Sequence, residues 1–329
     1  LRDRHHAQLD ALVTFLVDGR CEDEPAYLAA VRRLRRPTAA DLATIELLVA
    51  ARRIDELEEV IADDVQSWLT AWGAGRGRDR ARRAEVLSTL GFYWGAALYG
   101  LPGARSHDWD QVLRRFAPAL AADGDRPRST GRVRPARMID PVAETGEPLR
   151  DALIDATAEV IARSGVERAT VSRIARRAGM TDGAVYTRYA TKGDLVADAV
   201  DVLLARVVAA DADAVARALE GRDLIDALAS IGAGGLSPGR QRWRHFRLEA
   251  FLASRHLPQV RRLLRRRNAA NAAGYRALLG DDAEPFGAAG QAWPLGMSAV
   301  QLYVDDLASV DLRRVLAVQA QVLTGPRPT

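Results

Sequence analysis

The sequence predicts an all-α protein, and three observations carry that prediction. Alanine, leucine and arginine, all good helix formers, fill most segments. Apolar residues recur at three- and four-residue spacing, as in Ile54, Leu57, Val60, Ile61 and Val65, or Leu153, Ala156, Val160 and Ile161. The two-residue alternation of β-branched residues that marks a half-buried strand is missing.

At roughly 100–200 residues per domain, 329 residues make two or three domains. The single cysteine, Cys21, rules out an intrachain disulfide and a cysteine-based zinc site. No apolar run reaches the length of a membrane span, and the charged start Leu1–His6 leads into no signal-peptide core, so a cytoplasmic protein is expected. Of 47 basic residues only Lys192 is lysine, a bias that reflects base composition more readily than function. The net charge of +4 is a weak pointer to nucleic acid, so the placement of the arginines matters more. His107, His245 and His256 lack metal-ligand spacing, and Gly232–Gly235 lacks the lysine of a phosphate loop. No cofactor, metal or catalytic constellation is expected, and the chain is not read as an enzyme.

In chain order, residues 1–122 form a first helical domain, with a closing pair at about 83–100 and 108–121. Residues 123–147, rich in proline, glycine and arginine, form a linker. Residues 148–195 form a small domain. Residues 196–329 form another helical domain, ending in a pair at about 286–306 and 311–323, with Asp108 and Asp311 as the caps of the two last helices. The two larger domains resemble each other. At an offset of 203 positions Glu46 falls on Glu249, Trp72 on Tyr275, Asp108 on Asp311 and Val112 on Val315, and Leu98–Tyr99 matches Leu302–Tyr303 with one extra residue. A duplicated domain is expected.

Within the small domain, Leu149 to Arg163 reads as an amphipathic helix closed by Gly165. Thr170 caps a second, short helix, Val171 to Ala178. Gly179 ends it, and Thr181 caps a third helix through Tyr189. Two short helices joined by a tight glycine-containing turn make a helix-turn-helix, held from inside by Ile174, Ala175, Val185 and Tyr189.

The string Thr170-Val-Ser, Ile174-Ala175, Ala178-Gly-Met-Thr181, Gly183-Ala-Val-Tyr186, Tyr189, Lys192 and Leu195 resembles the DNA-binding domain of the TetR family of bacterial transcription regulators. The chain departs from the pattern at Asp182, Tyr189 and Gly193, and Asp182 puts the base preference in doubt. The resemblance implies a regulator of double-stranded DNA operators, as a repressor released by a small-molecule effector. It implies phosphate contacts from Thr170, Tyr186 and Lys192. It places Thr181, Asp182, Gly183, Ala184 and Thr187 nearest the bases, with Arg188 at the edge. Arg132, Arg134 and Arg137, with Arg126 and Arg128, would form a minor-groove arm or else a plain linker. Residues 196–329 and 1–122 would each be a ligand-binding and dimerisation domain. They would close on each other as a pseudo-dimer or meet a second chain as a homodimer. The form is then a tandem one whose first DNA-binding domain would precede Leu1. Trp243, Phe246, Phe251, Tyr275, Trp293, Met297 and Tyr303 would line an effector pocket, or form ordinary core. The alternative function is a helical interaction module that has lost DNA binding.

Overall fold

A computed structural model describes residues 2–19, 24–77, 79–103, 109–122, 133–219, 223–280 and 284–324. The regular elements among the described residues are all helices, with no strand among them. The amino-terminal half holds α1 (Arg2–Leu16), α2 (Glu24–Arg35), α3 (Ala39–Ala51), α4 (Asp55–Ala71), α5 (Arg80–Gly100) and α6 (Trp109–Ala122). The small domain holds α7 (Pro148–Arg168), α8 (Val171–Arg177) and α9 (Asp182–Tyr186). The rest is α10 (Lys192–Leu219), α11 (Leu224–Gly235), α12 (Gln241–Ala253), α13 (Pro258–Leu279), α14 (Glu284–Val300) and α15 (Arg313–Thr324).

α5 is the central helix. Every residue from Arg83 to Tyr99 is buried, which a helix achieves only when neighbours cover it all round. Its main neighbour is α14, while α6 packs on α14 and α15. The crossing is close because small residues stand at it. A Cβ on Gly95 would lie 1.9 Å from the Ala292 carbonyl oxygen, and one on Gly296 would lie 1.7 Å from that of Gly91. Neither position has room for any side chain. The Gly91 position is filled from across the crossing by Met297, whose Sδ would lie 2.5 Å from an added Cβ.

The structure departs from the sequence-based expectations in four places. The third helix of the small domain ends at Tyr186, not Tyr189, because the turn after Thr187 brings Tyr189 inward, where it is buried. The long helix expected to 306 stops at Val300, and a short 3-10 turn, Leu307–Ser309, follows. Asp311 stands two positions before α15 yet still accepts the Arg313 N–H at 3.1 Å, whereas Asp108 lies outside the described residues.

The fourth departure is the linker. Residues 123–132 lie outside the described residues, but 133–147 form an extended strap fastened to the body. The Ala136 N–H donates to the Ser230 carbonyl (2.8 Å), and the Ser230 hydroxyl donates to the Arg134 carbonyl (2.8 Å). Asp140 accepts the N–H groups of Arg242 and Trp243 at 3.2 and 2.8 Å, which satisfies the free start of α12. Met138 is buried beneath the strap. The strap leaves little space below it: a Cβ on Gly234 would meet the Ala136 carbonyl oxygen at 2.5 Å, and one on Gly239 the Met138 oxygen at 2.2 Å.

Candidate nucleic-acid interface

α8 and α9 are each started by a threonine. The Thr170 hydroxyl accepts the Arg173 N–H at 3.2 Å, and the Thr181 hydroxyl accepts the Ala184 N–H at 3.3 Å. Gly179 takes φ +71°, a left-handed conformation that closes the turn between the helices. Ile174, Ala175 and Val185 are almost wholly buried between them. This core leaves Thr181, Asp182, Gly183, Ala184, Tyr186, Thr187 and Arg188 exposed around the buried Val185. Tyr186 is 56% exposed. A Cβ on Gly183 would meet only the Thr181 hydroxyl oxygen, at 3.9 Å, so the start of α9 is smooth.

The face is oriented by polar ties. Asp182 accepts the Ser172 hydroxyl, which joins the starts of α8 and α9. The Thr187 hydroxyl donates back to the Ala184 carbonyl at 2.7 Å. Arg188 folds onto Glu147 at 2.5 Å, and this guanidinium holds the Glu147 carboxyl below its ordinary range. The Lys192 ammonium donates to the Val166 carbonyl at 3.0 Å, which ties α10 to the end of α7. Lys192 is therefore half-buried rather than free on the flank, though an ammonium has three donors and one bond leaves two.

The domain is also fixed to α10. Arg150 grips Asp198 with two bonds, at 2.9 and 2.6 Å, and the Tyr189 hydroxyl donates to the same carboxylate at 2.6 Å. Burial raises the Asp198 carboxyl, but the bonds from Arg150 and Tyr189 outweigh it and hold the group below its ordinary value. The hydroxyl that distinguishes Tyr189 from a phenylalanine thus has a partner. Arg177 reaches Glu159 at 2.5 Å and fixes α8 on α7. Arg173 and Arg176 are exposed on α8 and were not nominated from the sequence. The signal was there: with Ile174 and Ala175 inside, their positions in a seven-residue helix must face out.

The expected minor-groove arm is displaced. Arg132 lies outside the described residues, as do Arg126 and Arg128. Arg134 and Arg137 are exposed, but the strap carries them along α10 away from α8 and α9. Arg150 meets α10 at Asp198, Glu144 meets it at Arg206, and Met138 lies against Arg240, which pairs with Asp211. From Asp198 to Asp211 the helix rises about 20 Å. The bonds to Ser230 and from Asp140 hold the strap there, which is the linker alternative for Arg134 and Arg137.

The nominated aromatic pocket is corrected as well. Trp243, Phe246, Phe251, Met297 and Tyr303 are buried in the continuous core, where neighbouring side chains fill the space around them. The side chain of Tyr275 lies outside the described residues. Trp293 borders a cavity that lies between α5, α6, α14 and α15.

Among the described residues no helix is long and apolar enough to cross a membrane. Residues 153–199 match the family model for bacterial regulatory proteins of the tetR family. No curated protein matches the chain. The crystal structure of a transcriptional regulator from Rhodococcus sp. Rha1 aligns over 54% of this chain and 94% of its own, with 24% identity and a TM-score of 0.42. The matched residues run from the middle of α7 through the capped pair α8–α9 into α10, and over these residues the chain carries a domain similar to that of the tetR family of bacterial regulatory proteins.

Proposed function

We propose that the chain is a sequence-specific DNA-binding repressor, released by a small effector, that reads the major groove with α9. The observation that carries this reading is the exposed face of Thr181, Asp182, Gly183, Ala184, Tyr186, Thr187 and Arg188 on a short, capped helix. Thr170 and Lys192 flank that face for phosphate contact, with Tyr186 between them. Fluorescence anisotropy with duplexes from the DNA flanking its own gene tests it. Thr187→Ala should change sequence preference, while Lys192→Ala should weaken all duplexes alike and lower the salt slope by about one.

In the same proposal residues 1–122 and 196–329 are related copies closed on each other within one chain. A twofold contact repeats itself: if i meets j, then the mate of i meets the mate of j. At the offset of 203, Glu249 is the mate of Glu46 and Arg255 the mate of Arg52. Glu249 pairs with Arg52 and Arg53, and Glu46 pairs with Arg255. The Tyr303 hydroxyl donates to the Leu48 carbonyl, and Tyr99 stacks on Phe251, the mate of Leu48. One difference between the halves also fits. Val260 and Leu263 of α13, which packs on α10, are 0% and 4% exposed, while their mates on α4, Leu57 and Val60, are 37% and 55% exposed. A second surface like that of α10 would cover them. Light scattering at micromolar concentration should give a mass near 35.8 kDa. A value twice that, persisting after residues 1–122 are removed, would select an ordinary homodimer.

A second reading is an interaction module that no longer binds DNA. An acid on the reading face, Asp182, and two bases tied to the protein itself, Arg188 and Lys192, favour it. Absence of salt-dependent binding to any duplex would select it.

A further inference from the structure

The cavity between α5, α6, α14 and α15 has a volume of about 80 Å³. Its walls are mostly apolar, with Phe92, Phe116 and Phe286 among them. Two residues that line it carry a buried polar atom without a partner, the Ser88 hydroxyl and the Trp293 indole N–H. Ser88 is 6% exposed. Native proteins seldom leave such groups unpaired, because each then loses its hydration with no return. A third polar group lies on the same wall. Pro294 has no N–H, so it cannot donate to the carbonyl of Gly290 one turn earlier, and Gly290 lines the cavity. The residues lining this apolar enclosure therefore supply donors and an acceptor.

The cavity is not closed. Glu85 and Leu120 line both it and an adjoining polar space of about 350 Å³. Together the two fall in the ~300–1,000 Å³ range of small-molecule sites. The charges at the junction are already paired: Arg314 reaches Glu85 at 2.9 Å, and Arg82 reaches Asp18 at 2.5 Å. An anionic ligand would have to sit beside the buried Glu85 carboxylate, so the enclosure disfavours it.

We infer that this cavity is a binding site for a small neutral molecule with one ring and one hydroxyl, of the phenol class. The ring enters among the phenylalanines. The hydroxyl accepts from the Trp293 indole and donates to the Gly290 carbonyl, with Ser88 as a further partner. The inference deepens the effector-released reading. It moves the effector site from the aromatic core around Trp243 and Phe246 to the seam between the two halves. A molecule bound there touches α5 and α6 of one half and α14 and α15 of the other, so it biases how the halves sit on each other.

The test uses the full chain and phenol itself, without DNA. The Trp293 indole N–H resonance is assigned by its loss in Trp293→Phe. Phenol should shift that resonance and raise the melting temperature. Toluene, which lacks the hydroxyl, should bind about tenfold more weakly, and benzoate should not compete. Ala289→Phe fills the cavity and should abolish the phenol response. If that variant does not fold, Ser88→Ala decides by weakening phenol about fivefold while the chain stays folded. An unmoved Trp293 resonance at saturating phenol, or a response unchanged in the filled variant and in Ser88→Ala, overturns the site. Because no duplex is present, failure here leaves the DNA-binding reading standing. A chain that binds phenol but no duplex separates the two the other way.

Discussion

Glu249 of α12 is held by Arg53, which lies 196 positions earlier in the corner between α3 and α4. The same carboxylate accepts the N–H of Val166 at 3.3 Å, at the end of the first helix of the DNA-reading domain. Gly165 sits beneath the contact with φ +77°, and a Cβ there would meet Arg53 at 2.7 Å and Glu249 at 3.1 Å. Burial raises the Glu249 carboxyl, with Arg53 and Arg52 pulling the other way. One buried acid therefore joins the amino-terminal half to the reading domain. Removing one partner of a buried pair commonly costs about 3–5 kcal/mol, because the other charge stays buried alone. Glu249→Ala should lose that much in chemical denaturation. A cycle with Arg53→Met should show coupling of about 1–3 kcal/mol. A Glu249→Ala loss within about 0.5 kcal/mol of zero would show that the pair is incidental.

The crossing of α5 and α14 makes a sharper prediction. The atoms that an added Cβ would strike at Gly95 and Gly296 are backbone carbonyl oxygens, which cannot move aside as a side chain can. Gly95→Ala and Gly296→Ala should each destabilise by about 3 kcal/mol or more, at the upper end of overpacking effects. Gly274, in the middle of α13, has nothing within 4 Å of an added Cβ. Gly274→Ala should therefore stabilise by about 1 kcal/mol, since the helix gains propensity without a clash. Equal effects at the three positions would show that the helices separate freely.

The helices and the reading domain were legible because their signals are local. Threonine caps, the Gly179 turn and the spacing of Ile174, Ala175 and Val185 lie within a few residues of what they determine. The strap was not legible. Its prolines and glycines read as a coil, and its order comes from Ser230 and from the start of α12, about a hundred residues away. Lys192 and Arg188 were expected to face DNA, and in the structure the Lys192 ammonium also donates to the Val166 carbonyl while Arg188 also pairs with Glu147. A charge facing water and a charge reaching a backbone carbonyl have the same sequence pattern. The aromatic residues show a related difference: in the sequence Phe246 and Trp243 are only apolar and large, while the packing shows that both are buried.

The strap can be tested at its cap. Asp140 is the acceptor for the first N–H groups of α12, and Met138, two residues earlier, is the buried anchor. Asp140→Ala should cost about 1 kcal/mol, as lost helix caps do. It should also expose the neighbouring chain. Trypsin cleavage after Arg137 should accelerate in this variant, since that arginine already faces solvent and only the backbone bonds of the strap protect it. Cleavage as fast in the unaltered chain would mean that the strap is not held in solution.

The last prediction concerns acid. His5 of α1 is 6% exposed, and its Nε2 accepts the Trp94 indole N–H at 3.0 Å. Burial lowers its pKa from 6.5 to about 4, with Asp41 pulling upward and His6 pushing further down. A protonated Nε2 cannot accept, so the folded chain holds His5 neutral. The sign follows from proton counts: between about pH 6.5 and 4 the unfolded chain binds a proton at this residue and the folded chain does not. Stability from His5 is thus complete above about pH 6.5, falls as the pH drops, and levels off below about pH 4. The interval corresponds to ~3 kcal/mol. His245 acts in the same direction, lowered to about 3 by burial and by Arg52 and Arg244. Glu249, Asp155 and Asp211 act oppositely, because burial raises them and the folded chain then takes up protons first. Comparison with His5→Gln isolates the histidine, since glutamine offers Trp94 an acceptor that does not titrate. The melting temperature of the unaltered chain should exceed that of the variant at about pH 7. The gap should close or invert towards about pH 4. A gap that stays constant across this range would mean that His5 carries its proton in the folded protein as readily as in the unfolded one.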